Sequence, residues 1–317
     1  MVKAGGKTAP RRGRLDSARG VLRGKSGRLA WAFIAPALTI YLLIIVAPAI
    51  GTLWISFTKW KGIGDEARWV GTDNYQQLWR NDVFRDSFER TLIVLVAGGI
   101  AVFVCGFIFT MLLREMRAKR FIRAVIFFPN VVPPVALAIA WGVLLSPRNG
   151  LLNGSLEAVG LSVATQTWLG PDLIFKSIIA GLVWIYTGLF TTILMAGVDR
   201  IPAYYYEAAD LEGASPRQKL TRVTIPLTWD VLSVAAVLWV IVAIKTFEFI
   251  YALGGAGTDP SVASWTLPVH LYVVALGNRS PIYALGQGSA IAVMMVALVG
   301  ALIVLTRRVM RRAVVEF

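Results

Sequence analysis

The sequence predicts an all-α membrane protein with six transmembrane helices. Of its 317 residues, 56% are hydrophobic and 16% are charged, whereas soluble domains are about 45–50% apolar and about 25% charged. Lys and Arg outnumber Asp and Glu by 32 to 18, which gives a formal net charge of +14. An apolar chain with this excess of basic residues is typical of a membrane protein with basic cytoplasmic loops. The composition therefore argues against an ordinary soluble enzyme.

Six windows are long enough to cross a bilayer, which requires roughly 20 mostly apolar residues. They are Leu29–Phe57, Leu92–Leu113, Phe121–Leu145, Leu173–Val198, Val231–Leu253 and Ile282–Thr306. Pro36 and Pro48 predict a kink or a short interfacial piece in the first window, and Pro129, Pro133 and Pro134 predict a break in the third. Such a break is tolerated where protein or a wet cavity satisfies the freed carbonyl groups. It therefore suggests a pathway, although structural kinks are the more frequent origin of such prolines.

The basic residues predict the orientation of the chain. Segments 1–28, 114–123, 199–228 and 307–317 contain 22 Lys and Arg, and the alternate loops contain 7. Because basic loops stay in the cytoplasm, we predict that both termini are cytoplasmic. The chain is then divided into a basic tail (1–28), a membrane domain (29–306) and a basic end (307–317). The tail lacks interleaved aromatic residues, which favours contact with anionic lipid and gives no reason to expect nucleic acid.

Few residues are available for metal or acid–base chemistry. Cys105 is the one cysteine and His270 the one histidine of the sequence. A cysteine-built zinc site and an internal disulfide framework are therefore excluded. We predict no metal site and no catalytic residue.

The most informative segment is the loop 199–228, which is longer than neighbouring helices require. Pro202 suits the first position of a helix and Gly213 the residue just past its end. Ser215 and Gln218 then have the spacing of a capping box at a second helix start. The segment therefore predicts two short helices that meet at a glycine turn.

The first of these helices combines small and acidic residues. Ala208 and Ala209 would let another surface approach closely, and Glu207 and Asp210 could fix where it docks. Arg217 follows in the second helix, which is basic. Composition alone does not separate such a docking element from a solvated amphipathic linker.

The order of residues in this loop narrows the interpretation. Glu207-Ala208-Ala209, three further residues and Gly213 are followed after nine residues by Val223-Thr224-Ile225-Pro226. This resembles the EAA signature of binding-protein-dependent ABC importer permeases, with Val223 and Ile225 in place of the family's Ile and Leu. The resemblance implies the ABC importer permease fold, with a cytoplasmic coupling helix seated in a cleft of an ATPase. The residues it assigns to ATPase coupling are Glu207, Ala208, Ala209, Asp210, Gly213, Ala214, Arg217, Ile225 and Pro226.

The same resemblance implies the partners. No nucleotide-binding motif occurs in the sequence, so ATP and Mg²⁺ would be bound by a cytoplasmic ATPase dimer, and this chain would hold no cofactor and be non-catalytic. A second homologous permease subunit and an extracytoplasmic sugar-binding protein would complete the transporter. Its location would be the inner or plasma membrane of a bacterial cell.

Further segments resemble permeases for carbohydrate uptake, of the maltose/glycerol-phosphate/oligosaccharide group. Segments 128–133 and 149–153 are similar to their third-span region, and 286–290 is similar to their sixth span. Segment 247–255 resembles F-D-x-I-Y-x-x-T-x-G-G, with Glu248 in place of Asp and the Thr missing. The resemblance implies a saccharide or polyol that is delivered by the binding protein and translocated by alternating access.

Polar and aromatic residues in the spans are candidates for the substrate pathway. Lys245 and Glu248 lie three residues apart in the fifth window, so they could line the pathway or neutralise each other as an ion pair. Sugar sites combine aromatic plates with hydrogen-bonding groups, although each aromatic residue could equally belong to the core or to an interfacial belt. The candidates are Asn130, Trp141, Trp184, Tyr186, Lys245, Glu248 and Tyr251.

Three other classes of protein remain as alternatives. An ion-driven secondary transporter would need a titratable relay, of which Glu248 is the one plausible member. A membrane-embedded glycosyl-transfer enzyme would need an acidic pair at the membrane edge, and Asp210 and Glu212 come nearest to one. A receptor or scaffold would not need broken helices.

Overall fold

The computed structural model describes residues 25–62, 64–114, 116–255, 260–277 and 284–311, and these are mostly helical. Most of the predicted basic tail, and residues 312–317 of the basic end, lie outside the described residues. The helices are α1 (Lys25–Tyr41, π turn Leu42–Val46, Ala47–Ile55), α2 (Asp73–Arg80), α3 (Asp82–Ile93, π turn Val94–Gly98, Gly99–Arg114), α4 (Lys119–Val131), α5 (Pro134–Leu144), α6 (Leu151–Ala158), α7 (Ile174–Val198), α8 (Ala203–Leu211), α9 (Pro216–Lys219, π turn Leu220–Thr224, Ile225–Leu227), α10 (Trp229–Lys245), α11 (Glu248–Gly255), α12 (Leu267–Leu276) and α13 (Leu285–Val309). Strands β1 (Thr58–Lys59) and β2 (Arg68–Trp69) form an antiparallel hairpin.

The predicted all-α membrane fold is confirmed. Five described helices are long and apolar enough to span a membrane when α10 and α11 are counted as one span, Trp229–Gly255. Helices α4 and α5 give a sixth if this bent pair is also counted as one span. The bend between α4 and α5 is 98° and falls between Val131 and Pro134, where the prolines predict a break. The second span is longer than predicted, because α3 begins ten residues earlier, at Asp82. The side chain of Asn81 accepts hydrogen bonds from the backbone N–H groups of Val83 and Phe84 at this end, which extends the helix beyond its apolar part.

Helix α1, which contributes to a first structural unit ending at Trp54, is continuous through both of its prolines. No interfacial piece separates from it at either proline, and a π turn precedes Pro48. The predicted kink stays a prediction, since π turns and prolines are both common sites of kinks. Within this turn the N–H of Ala47 donates to the carbonyl of Leu42. A π turn shifts the hydrogen-bond register by one residue, which accommodates a proline without ending the helix.

Within the second unit, Ile55–Phe317, helix α7 forms the centre of the core. It packs against α3 and α4, and Ile178, Phe190 and Leu194 are fully buried along it. At Gly188 the backbones of α7 and α4 approach so closely that a Cβ atom would overlap the carbonyl group of Ile126. Small residues at such positions allow helices to gain dispersion contacts where water is absent.

A tryptophan on α10 fixes this helix to the π turn of α3. The indole Nε1 of Trp239 donates to the carbonyl of Leu95 at 2.8 Å, and the side chain is only 4% exposed. Gly99 leaves room for the indole ring, because a Cβ atom there would meet it. The π turn and the glycine therefore create the notch that receives Trp239.

Segments predicted to lie on the same side of the membrane meet at one end of the second unit. The guanidinium of Arg114 contacts the loop 199–228 at Tyr206, and Lys119 Nζ lies 3.8 Å from Asp199 Oδ1. Trp229 Nε1, at the end of this loop, donates to the carbonyl of Met310 at 2.7 Å. We refer to this end of the second unit as the loop end.

A second apolar cluster packs α2, the start of α3, α12 and the start of α13 together. Its buried members are Leu78, Phe84, Leu267, Ala290 and Ile291. Because α13 has 25 residues, its start lies about 37 Å from the loop end, at 1.5 Å per residue. We refer to this opposite end as the hairpin end, since α13 also contacts β1 there.

His270 of α12 lies beside this cluster, outside the candidate spans. Its ring packs edge-on against Phe84 at 5.8 Å, and its Nδ1 lies 3.1 Å from Ser87 Oγ. The hydroxyl of Ser87 donates to the carbonyl of Val83, so Nδ1 is the donor toward Ser87. Burial lowers the pKa of His270 from 6.5 to about 4, because the cationic form loses its solvation.

We predict that Gly188→Ala destabilises the protein. The added methyl group would force α7 away from Ile126, and overpacking of this kind costs about 1–3 kcal/mol. The melting temperature in detergent measures the effect. Gly300→Ala is the matched control, since no atom lies within 4 Å of the position of its Cβ and the change should raise helix stability by up to about 1 kcal/mol. Equal melting temperatures for the two variants would contradict this packing.

We also predict that stability decreases below pH 6.5 because of His270. The folded state keeps the imidazole neutral, so its contribution to the free energy of unfolding is complete above the ordinary pKa and is lost as the pH falls from 6.5 toward 4. The loss amounts to about 3 kcal/mol by pH 4. No other histidine occurs in the sequence. Chemical unfolding at pH 7.5 and 5.5 measures the difference, which His270→Gln should reduce; the same difference in this variant would refute the assignment.

Candidate functional site

The loop 199–228 folds as the two short helices that the sequence predicts, α8 and α9. Gly213 has a φ of +71°, a left-handed conformation that glycine adopts without strain. The N–H of Gly213 donates to the carbonyl of Asp210, and the N–H of Ala214 donates to the carbonyl of Ala209. This pair of bonds is a Schellman motif, which satisfies the last carbonyl groups of α8.

The start of α9 has the predicted capping box. The N–H of Gln218 donates to Ser215 Oγ at 3.3 Å, and the N–H of Ser215 donates to Gln218 Oε1 at 2.7 Å. Pro216 is the first helical residue, as predicted. Pro202 differs by one position, because it is the N-cap of α8, and the helix begins at Ala203.

Tyr206 holds the two helices together and is not among the residues predicted from the sequence. Its ring is 3% exposed, and its hydroxyl lies 3.0 Å from Thr224 Oγ1 in α9. The guanidinium carbon of Arg114 lies 3.3 Å from the centroid of the ring, a cation–π contact between α3 and α8. Helical periodicity could have indicated that Tyr206 is buried, since the side chain at position 206 points away from those at 204 and 208 on a helix.

Ion pairs also connect the loop to itself and to the spans. Asp210, a predicted coupling residue, pairs with Lys219 in α9, so its carboxylate is used within the loop. Arg200 Nη2 lies 2.9 Å from Asp230 Oδ2 at the start of α10. Because these pairs are partly exposed, each contributes little to stability, and their effect is to orient the loop.

The opposite face of α8 is exposed. Tyr204, Ala208 and Leu211 follow helical spacing along it, and Glu207 lies beside them. Leu211 is 91% exposed, and Glu207 forms no ion pair with any described residue. Apolar and acidic side chains therefore face solvent together on a helix whose other face is fixed. Tyr204 and Leu211 were not predicted, although their spacing from Ala208 was visible in the sequence.

The remaining predicted coupling residues lie along the same two helices. Ala209 is half-buried, and Arg217 is exposed in the first turn of α9. Ile225 and Pro226 are half-buried in the last turn of α9. Thr228 joins this turn to α10, with its N–H and hydroxyl both bonded to the carbonyl of Thr224.

The candidate pathway residues lie near two helix breaks. Asn130 is half-buried in the last turn of α4, directly before the bend to α5. The second break separates α10 from α11, where Thr246 is extended. Thr246 Oγ1 donates to the carbonyl of Val242 at 2.7 Å and lies 3.4 Å from the hydroxyl of Tyr186. Helix α5 packs directly against α11, so the segments that follow the two breaks are neighbours.

Of the two alternatives for Lys245 and Glu248, the ion pair does not form among the described residues. Lys245 ends α10 and Glu248 begins α11, so the two residues do not lie on one helical turn. Both side chains are exposed. Two ionisable groups therefore flank the break without compensating each other.

Aromatic side chains form two groups around the second break. Trp141 and Trp184 stack with ring centroids 5.4 Å apart and an interplanar angle of 21°, and Trp184 is 45% exposed. Tyr251 packs against Phe247 and Tyr272, with 5.1 Å between the ring centroids in each pair. Among the described residues, no group of three His, Cys, Asp or Glu side chains could hold a metal ion. The rings offer stacking surfaces, and the polar side chains beside them offer hydrogen bonds.

Most of the chain is similar in sequence to known proteins. Residues 102–315 match the family of binding-protein-dependent transport system inner membrane components. The trehalose/maltose transport system permease protein MalF of Thermococcus litoralis is 32% identical over 286 residues, covering 88% of this chain and 92% of that protein. The diacetylchitobiose uptake system permease protein NgcF of Streptomyces coelicolor is 26% identical over 273 residues, covering 82% of this chain and 77% of that protein.

The fold is also that of a solved transporter. A chain in the crystal structure of a bacterial ABC transporter involved in the import of the acidic polysaccharide alginate superposes with a TM-score of 0.74. That chain is 20% identical, and the match covers 93% of this chain and all of that one. These matches confirm the family that the Glu207–Gly213 segment predicts. The chain belongs to the binding-protein-dependent transport system inner membrane components.

Proposed function

We propose that this chain is a permease subunit of an ATP-driven importer and moves a carbohydrate across the membrane by alternating access. A partner ATPase dimer hydrolyses ATP, with Mg²⁺, and drives the change of state. A second permease subunit completes the pathway, and an extracytoplasmic binding protein delivers the substrate. The relatives described above carry trehalose/maltose and diacetylchitobiose in their names, which supports a saccharide as the substrate.

The observation that carries the proposal is the exposed face of α8. Leu211 and Tyr204 offer an apolar contact, and Glu207 offers a carboxylate without a partner among the described residues. A protein partner would cover the apolar side chains and pair the carboxylate, which together define an interface. The ATPase is the partner that we assign to this face.

The opposite face of α8 suits the transmission of force. Tyr206 ties α8 to α9 and to the end of α3, and α9 continues into α10 through Thr228. A displacement of α8 would therefore move these helices together, as rigid-body switching requires.

We place the substrate beside the stacked tryptophans and the second helix break. The partly exposed ring of Trp184 provides a flat apolar surface for a sugar face, and Trp141 supports it from behind. Lys245 and Glu248 would then bind hydroxyl groups with charge-assisted hydrogen bonds.

We assign the loop end to the cytoplasm. The contacts that join Arg114, the loop 199–228 and Met310 support a common side for these segments. All of them belong to the basic set of segments, and basic segments remain in the cytoplasm. Both termini are then cytoplasmic.

We predict that Glu207→Ala weakens the association of the ATPase with the permease by more than about tenfold, because loss of a carboxylate from a buried charge pair across the proposed interface would leave the opposing charge unpaired. Co-purification of the membrane-inserted complex and ATP-dependent uptake in proteoliposomes are the measurements. The control is Glu157→Ala, which removes an exposed glutamate from α6 and should change neither quantity. Wild-type association and uptake for Glu207→Ala would contradict the coupling role.

We predict that Glu248→Gln lowers sugar uptake by about tenfold while assembly is retained, because it weakens a charge-assisted hydrogen bond to the substrate without changing the size of the side chain. Uptake of radiolabelled saccharide is measured beside ATPase co-purification, with Glu157→Gln as the control. Equal losses of uptake and of assembly would instead assign Glu248 a structural role.

A further inference from the structure

A cavity of about 360 Å³ lies at the hairpin end, where β1, β2, α2 and the start of α13 meet. It is about 37 Å from the loop end along α13, so in the proposed transporter it faces the side of the membrane opposite to the coupling loop. The polar side chains that line it include Lys59, Lys61, Arg68, Asp73, Gln77 and Gln287. None of them belongs to the coupling loop or to the candidate substrate pathway.

The floor of this cavity is fixed by buried hydrogen bonds. The side chain of Asn74 is 4% exposed, and its Nδ2 donates to the carbonyls of Ser56 and Thr58 at 2.8 and 2.9 Å. The N–H of Gly286 donates to the carbonyl of Trp60 at 3.2 Å, and a Cβ atom at Gly286 would overlap the carbonyl of Thr58. The cavity is therefore a built feature that joins the hairpin to α13.

The charges around the cavity are unusual for a hairpin. Lys59 and Arg68 are direct cross-strand partners, and like charges opposite each other destabilise strand pairing. Lys61 adds a third cation to the rim, against one lining carboxylate, Asp73. The carboxylate of Asp65 accepts from the backbone N–H of Lys61. None of the three cations forms an ion pair with a described residue.

We infer that this cavity receives a carboxylate side chain of the extracytoplasmic binding protein. The inference rests on the proposed function, which requires such a partner on this side of the membrane. An acidic side chain placed between Lys59 and Arg68 would relieve their repulsion and accept charge-assisted hydrogen bonds. The rim amides of Gln77 and Gln287 bond to each other at 3.0 Å and border one side of the cavity, which with about 360 Å³ has ample room for an acidic side chain.

The double variant Lys59→Gln/Arg68→Gln tests the inference. It removes a like-charge pair, so the hairpin should fold at least as well as in the wild type, and a loss of binding would not reflect misfolding. The variant complex with its ATPase is placed in nanodiscs, and binding of the purified solute-binding protein that supports uptake is measured at low and high salt. We expect about tenfold weaker binding at low salt and a smaller dependence on salt. Arg80→Gln, an exposed cation on α2 outside the cavity, should bind as the wild type does.

Variants that reverse the charges of Lys59 and Arg68 provide a second test. Lys59→Glu/Arg68→Glu should abolish measurable binding, and Asp→Lys or Glu→Lys variants of the binding protein should include one that restores it. Wild-type affinity in both double variants would overturn the inference. Nanodiscs with and without phosphatidylglycerol test the alternative occupant, an anionic lipid. Retention of this lipid that depends on Lys59 and Arg68, with unchanged protein binding, would also overturn it.

These experiments distinguish a failure of the inference about the cavity from a failure of the proposed function. If the cavity variants bind normally while Glu207→Ala still releases the ATPase, the inference about the cavity fails and the coupling role stands. If the wild-type complex binds no solute-binding protein that supports uptake, both fail.

Discussion

The contact between Tyr206, Thr224 and Arg114 fixes the loop 199–228 to the helices at the loop end of the molecule. A loop of thirty residues ordinarily moves independently of the helices that it connects, because it buries little apolar surface. Here one buried ring joins α8, α9 and α3, and its hydroxyl and its face are both used. The Schellman motif and the capping box then leave little freedom at the turn between the helices. The exposed face of α8 is consequently presented in a fixed orientation, which lowers the entropic cost of binding a partner.

The helix breaks follow from a different requirement, the satisfaction of backbone groups away from water. At the first break, Pro133 and Pro134 remove two donors, and the helix restarts with the N–H of Leu137 bonded to the carbonyl of Pro133. At the second, the Thr246 hydroxyl bonds to a carbonyl at the end of α10 and contacts Tyr186 of α7. Both breaks are therefore held by the protein itself.

Local features of the sequence predicted much of the fold and of the loop. Gly213, Ser215 and Gln218 act within four residues of their partners, so their roles could be inferred without tertiary information. The break at Pro133 was predictable for the same reason. The break at Thr246 was not, because it has no proline or glycine and depends on Tyr186, which lies sixty residues away. That distance explains why Lys245 and Glu248 were expected on one helical turn.

The connections of α10 explain how the two regions could act together. Its first turn continues from α9 through Thr228, whose N–H and hydroxyl both bond to the carbonyl of Thr224. Its middle is fixed to α3 by Trp239, and its last turn ends at the break beside Tyr186. A movement of the coupling loop would therefore be carried along this helix and would reach its first interruption at Thr246. In the proposed transporter, force applied at α8 would therefore rearrange the helices at the break where Lys245, Glu248 and the aromatic groups lie. The middle of α10 would not rearrange, because Trp239 fixes it to α3.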